Sequence, residues 1–206
     1  HPIAREAVLE RYPVSEDERR AQHAQIAAYL AELPDDDPIA ARERMHHLIE
    51  ADDIPAAAAF YARLTNDHPA QGPASDSIAE RVIEGEESDE ANPGLELVQR
   101  LLDEAAQTPE KWMDLPNNLM FNVLERVEGG VTEEVPRTFL ARIHQWYVDQ
   151  CPSQPNDRYL RDLSVSHERL GDLEQSAGNP EAARSHHEQV LSMRQDMHAR
   201  IARADT

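Results

Sequence analysis

Apolar residues recur every three or four positions along most of the chain, the period of an amphipathic helix. Ala21, Ala24, Ala28, Leu30 and Leu33 form the first such stripe. Ser15 with Glu18 is a capping box that opens it, and Pro34 closes it. A turn over Asp35 to Pro38 leads into a helix from Ile39, with Met45, Leu48 and Ile49 on its apolar face. Asp52-Asp53 breaks that helix. Ile54 to Leu64 forms the next, where the small run Ala56 to Ala59 precedes Phe60 and Tyr61. Residues 66–73 read as a loop. Residues 84–94 read as a solvated one, because Glu84, Glu86, Glu87, Asp89 and Glu90 cluster ahead of Asn92-Pro93-Gly94.

Leu95 to Ala106 is a clear helix, with Leu95, Val98, Leu101 and Leu102 on one face. Leu115 to Val127 is another, ended by Gly129-Gly130. Glu133 to Gln150 follows, with Phe139, Ile143, Trp146 and Tyr147 at helical spacing. Pro136 sits in its first turn, where a missing N–H costs little. Pro152 and Pro155 interrupt the chain, and Arg158 to Ala177 with Pro180 to Ala204 make a final hairpin.

Alternation of period two is missing, so no sheet is expected. The pattern predicts an all-α fold of roughly ten helices, stacked as a right-handed α-solenoid of antiparallel hairpins. Three stretches follow: a helical segment over 1–69, an acidic loop region over 70–94, and helical hairpins over 95–206.

Composition narrows the partners. The formal net charge is −20, which repels nucleic acid and an anionic membrane surface alike. Lys111 is the sole lysine, and the acidic excess reads first as a solubilising surface. Cys151 is the only cysteine, so no internal disulfide forms and a reducing, cytoplasmic setting is expected. No apolar run approaches membrane-spanning length, and no signal peptide follows His1. The chain reads as a piece of a longer protein.

The last hairpin, 163–206, carries Leu170-Gly171, then Gly178-Asn179-Pro180, then Ala182-Ala183. Gly171 and Ala183 have almost no side chain, so two helix backbones can approach there. Gly178 suits a left-handed helix end, and Pro180 suits the first turn of the next helix. This stretch resembles a tetratricopeptide repeat over about forty residues. It departs from that pattern at His167, Glu174 and His187, where the family has large aromatics, which implies a thinner, wetter core. Ala57 and Tyr61 match the second helix of a weaker repeat over 41–69, while Gln99 breaks a regular register between the two.

The beginning of the chain carries a second resemblance. His1-Pro2, Arg5-Glu6, Arg19-Arg20-Ala21-Gln22-His23 and His46-His47-Leu48-Ile49-Glu50-Ala51-Asp52-Asp53, followed by Ala56 to Ala59, resemble the segment after the winged helix in bacterial signal-transduction ATPases with numerous domains. That family includes the maltose-regulator type of transcription activator. The resemblance covers about the first 65 residues and is an argument by analogy. It implies an ATPase module upstream and helical repeats that sense an inducer or partner. No phosphate-binding loop lies within the chain, so this piece is not expected to bind nucleotide.

Other chemistry is sparse. His46-His47 and His186-His187-Glu188 raise the question of a metal. Neighbours on a helix point about 100° apart, and no His-Glu-x-x-His spacing is present, so surface or interface histidines are expected and no metal ligand is assigned. Ser164, Ser166 and His167 lack a Gly-x-Ser-x-Gly elbow. Cys151 and His144 stand two turns apart, too far for direct activation. Trp112 and Trp146 read as packing anchors, with peptide stacking by Trp112 the lesser reading. No catalytic residue and no cofactor is therefore expected. The expected function is non-enzymatic recognition of a protein or peptide, or of other domains of the same chain, within a larger signalling ATPase. The alternative is an inducer-binding sensor of a transcription regulator. By analogy with repeat grooves, Arg169, Asp172, Gln175 and Ser176 are the candidate binding residues, opposite Leu170 and Leu173.

Overall fold

The computed structural model describes residues 15–64, 68–87, 91–109, 113–128, 131–153 and 155–204. Among these residues the chain is all-helical, with no strand. Two compact units divide it, residues 1–77 and 78–206. The tail of the supposed winged helix at His1-Pro2, together with Gly129-Gly130, Lys111 and Trp112, lies outside the described residues.

The first unit holds α1 (Glu16–Leu30), α2 (Pro38–Glu50), α3 (Ile54–Arg63) and the start of α4 (Gln71–Glu84). Local chemistry sets where these helices begin. The Ser15 hydroxyl accepts from the Glu18 N–H while Glu18 reaches back to the Ser15 N–H, which is the expected capping box. Asp37 accepts from the N–H groups of Ile39 and Ala40 ahead of Pro38, and Asp53 from that of Ala56. Asp52 turns the chain between α2 and α3 at φ 61°. The core of the unit is Met45, Ala57, Ala58, Phe60 and Tyr61, all within 2% of full burial. By contrast α1 buries only Ala27 and leaves Ile26 and Tyr29 exposed.

α4 corrects the sequence reading, which has a loop through 73 and no helix within 70–94. Ala70, Ala74, Ile78 and Val82 recur every fourth residue and are fully buried. Gly72-Pro73 conceals the stripe because it reads as a breaker, yet Pro73 falls in the helix's first turn, where no N–H is missed. Ser75 is buried as well, bonded to the Gln71 carbonyl at 2.8 Å and to the Tyr61 hydroxyl at 2.9 Å. Only the short 3-10 turn Gly85–Glu87 follows as irregular backbone before the undescribed 88–90.

The second unit centres on α7 (Glu134–Asp149), which packs against α5 (Pro93–Ala106), the composite α6 and α8 (Asp157–Ser176). Its Phe139, Leu140, Ile143 and Tyr147 are fully buried. α6 runs as Asp114–Asn118, a π-helical turn Leu119–Val123, and Leu124–Val127. Arg142 on α7 donates to the Leu95 carbonyl and to Glu96 on α5. α4 and α5 meet backbone to backbone: a Cβ added at Gly94 would lie 2.3 Å from the Val82 Cα.

α8 ends as the turn residues imply. Gly178 adopts φ 79°, its N–H donates to the Gln175 carbonyl, and the Asn179 N–H donates to Glu174 at 2.8 Å. These are the two bonds of a Schellman motif. α9 (Pro180–Ala204) then runs back along α8, as the pairs Arg200–Asp157, Arg194–Glu168 and His167–His186 show. Ala183 and Val190 are its buried contacts.

Candidate functional site

α6, α7 and α8 enclose a cleft of about 490 Å³ in the second unit. α8 supplies Arg169, Asp172, Leu173 and Ser176; α7 supplies Pro136 and Arg137; Glu125, Glu128, Val131 and Glu133 close the third side. Three of the four residues singled out from sequence therefore line one cleft. Gln175 does not. It lies about 120° round the helix from Arg169 and faces a shallower hollow with Pro180, Arg184, His187 and Leu191. Leu173, placed opposite the groove by the sequence reading, lines it instead.

The two arginines of the cleft are already engaged. Arg169 lies 3.3 Å from Glu125, stacks over the Phe121 ring at 5.1 Å and donates to the Met120 carbonyl at 3.2 Å. Met120 belongs to the π-helical turn, whose wider ring leaves backbone carbonyls open to outside donors. Arg169 thus ties α8 to α6. Arg137 lies 3.5 Å from Glu174. Asp172 is the exposed anion of the rim, its side chain 73% accessible. The Ser176 hydroxyl bonds back to the Asp172 carbonyl at 3.0 Å. Val131, Pro136 and Leu173 provide apolar surface, and Glu125, Glu128, Glu133 and Asp172 provide negative charge.

A histidine joint lies where α7, α8 and α9 meet. The His144 and His167 rings are 4.3 Å apart, centre to centre, and His167 and His186 are 5.3 Å apart. Nδ1 of His167 faces Nδ1 of His186 at 3.0 Å. One proton fits between them, so at least one ring is neutral. The Ser166 hydroxyl donates to the Leu163 carbonyl at 2.8 Å, which leaves its oxygen to accept from His144 Nδ1 at 3.0 Å. Burial, reinforced by His186, lowers the His144 pKa to about 4. Burial with the neighbouring His144 and His186 lowers His167 to about 4 also. His167 is thus a neutral imidazole within a ring cluster. His187 is exposed, with its ring against Gly171.

The remaining sequence candidates disperse. Ser164 bonds back to the Arg161 carbonyl at 2.7 Å. Cys151 is exposed and points at the Pro152 carbonyl, while His144 is engaged by Ser166. Trp146 packs edge-on against Tyr147 at 5.5 Å, a core contact. His46 and His47 are joined by His23 from α1, whose ring lies 4.9 Å from that of His47. Nothing in the sequence near His46 signals this third histidine, because it comes from another helix. No helix among the described residues is long and apolar enough to cross a membrane. No protein-family model, no curated protein and no solved structure matches the chain.

Proposed function

We propose that the chain is a non-enzymatic recognition module that binds a short cationic peptide segment in the α6–α7–α8 cleft. The supporting observation is the cleft's charge. Four carboxylates stand around an apolar floor, and the two arginines are occupied by Glu125 and Glu174. An arginine or lysine side chain entering there meets Glu128 and Glu133, and Asp172, whose carboxylate lies 3.9 Å from His187 Nε2. The module is a divergent tetratricopeptide-like solenoid of antiparallel hairpins, carried in a larger signalling ATPase of the kind its first residues resemble. The Schellman turn at Gly178 and the burial of Gly171 and Ala183 support that reading. Peptide capture would alter how this unit packs on neighbouring domains.

Anisotropy titrations with labelled arginine- and lysine-bearing peptides test the proposal. Glu128→Lys with Asp172→Lys should weaken binding roughly tenfold or more, and rising salt should weaken the wild type. Gln175→Ala should leave the affinity unchanged. Equal binding of an acidic peptide, or full affinity in the double variant, would remove the cleft from consideration. A second reading, an inducer-binding sensor, rests on the cleft's volume, which falls in the range of small-molecule sites. Saturable binding of a small organic cation, with peptides inert, would favour it.

A further inference from the structure

We propose that His23, His46 and His47 form a site for one late first-row divalent cation of the zinc, nickel or copper class, which would clip α1 to α2. One ring nitrogen from each histidine lies within 4.8 Å of the other two. Three imidazole nitrogens around a zinc ion sit roughly 3.3 Å apart, given bonds of about 2.0–2.1 Å in a tetrahedron. Small rotations of the rings close that difference. The 100° between neighbouring helical histidines is offset here by the tilt of the rings and by a third histidine from the facing helix. The His46 and His47 rings tilt toward each other to a 5.2 Å centre separation, and His23 approaches from the facing helix. Among the described residues, this is the group of histidine, cysteine and carboxylate side chains with ligand atoms so placed.

Packing does not account for the cluster. α1 buries only Ala27, and Ile26 and Tyr29 are 42% and 64% exposed. The two helices run close together, yet Ala27 is the one buried residue that α1 brings to the contact. His23 Nδ1 stands 2.7 Å from His47 Nδ1, two lone-pair-bearing atoms with room for one proton between them. A cation accepts both lone pairs at once. His46 is exposed, so water can complete the shell on the solvent side, the open three-histidine arrangement typical of zinc. Imidazole nitrogen selects zinc, copper or nickel over calcium or magnesium. Glu43 and Glu50 flank the pair on α2 one turn to either side, and their charge favours a cation.

The test is a calorimetric zinc titration of the full 206-residue chain after chelator treatment, with cobalt(II) absorption as a second readout. One equivalent should bind, cobalt should show the intense visible bands of a four-coordinate ion, and the melting midpoint should rise and fall back with EDTA. His23→Gln, His46→Gln and His47→Gln should each weaken zinc roughly tenfold or more. His198→Gln, an exposed histidine elsewhere, should not. His46 is solvent-exposed, so His46→Gln keeps the fold and decides the matter even if a partner variant does not. No uptake, or uptake unchanged in His46→Gln, overturns the site.

Discussion

Two helix pairs in this molecule are joined by histidines, and they differ in what surrounds the rings. At α1–α2 the rings stand at the surface of a sparsely packed pair, with His46 exposed and Ala27 the one buried residue of α1. At α8–α9 the cluster includes His144 of α7, His167 is 9% exposed, and Leu170, Ala183 and Val190 of the same helix pair are buried. The same side chain therefore does opposite work. In the open cluster one ring nitrogen from each imidazole lies within 4.8 Å of the other two, the geometry on which the proposed cation site rests. In the closed one, burial keeps His144 and His167 neutral, and they serve as packing between the three helices. Burial, more than residue type, decides between ligand and filler.

The largest way to break the contrast is pH. The folded-state pKa values of His144 and His167 lie below the ordinary 6.5, so their contribution is complete above pH 6.5 and is lost as pH falls toward 4. Each imidazole should remove about 2 kcal/mol of stability between pH 7 and pH 5. His186 is lowered by burial too, with Glu174 opposing and the neighbouring His187 adding to the shift. Denaturant midpoints across that range should fall steeply. The slope should flatten in His144→Gln with His167→Gln, and a wild-type midpoint constant from pH 7 to pH 5 would show that the rings are not held neutral.

A smaller effect comes from Gly171. A Cβ there would sit 2.6 Å from the His187 ring. The ring is on an exposed side chain and can swing, so Gly171→Ala should be close to neutral, helped by alanine's helix propensity. Gly171→Leu has no such escape against α9 and should cost about 1–3 kcal/mol. Equal melting temperatures for the two variants would mean that the helices are not in close approach at this position.

The smallest effect belongs to the thin pair. Ser15→Ala removes the hydroxyl that accepts from the Glu18 N–H and should cost about 1 kcal/mol or less, confined to α1. Hydrogen exchange should show faster amide exchange over Glu16 to Ala24 with the α8 amides unchanged. Slowed exchange in α1 on adding zinc would join this measurement to the metal site.

Much of the secondary structure was legible because its signals are local. Ser15 was read as a cap where it stands, and Asp37, Asp53 and Asn92, each at a break the sequence marks, likewise accept from an N–H two or three residues on. Gly178 and Pro180 marked the α8–α9 turn for the same reason. α4 was missed because Gly72-Pro73 outweighed the four-residue stripe of Ala70, Ala74, Ile78 and Val82. The π-helical turn at Leu119–Val123 carries no sequence mark, since its i→i+5 bonding is supported by Arg169, distant in sequence. Of the cleft, the spacing of Arg169, Asp172 and Ser176 was enough to put them on one face. Gln175 fell outside because three residues beyond Asp172 the helix has turned past the edge of that face.

What the chain determined by itself is the run of helices, their starts and stops, and an acidic surface, for each depends on groups within a turn of one another or on composition. What only the tertiary structure decided is which histidines meet. His23 with His47, and His144 with His167 and His186, are brought together by helices that pack on apolar faces elsewhere. Their pairing follows from where those faces lock, which is a property of the assembled core and of no short stretch of sequence.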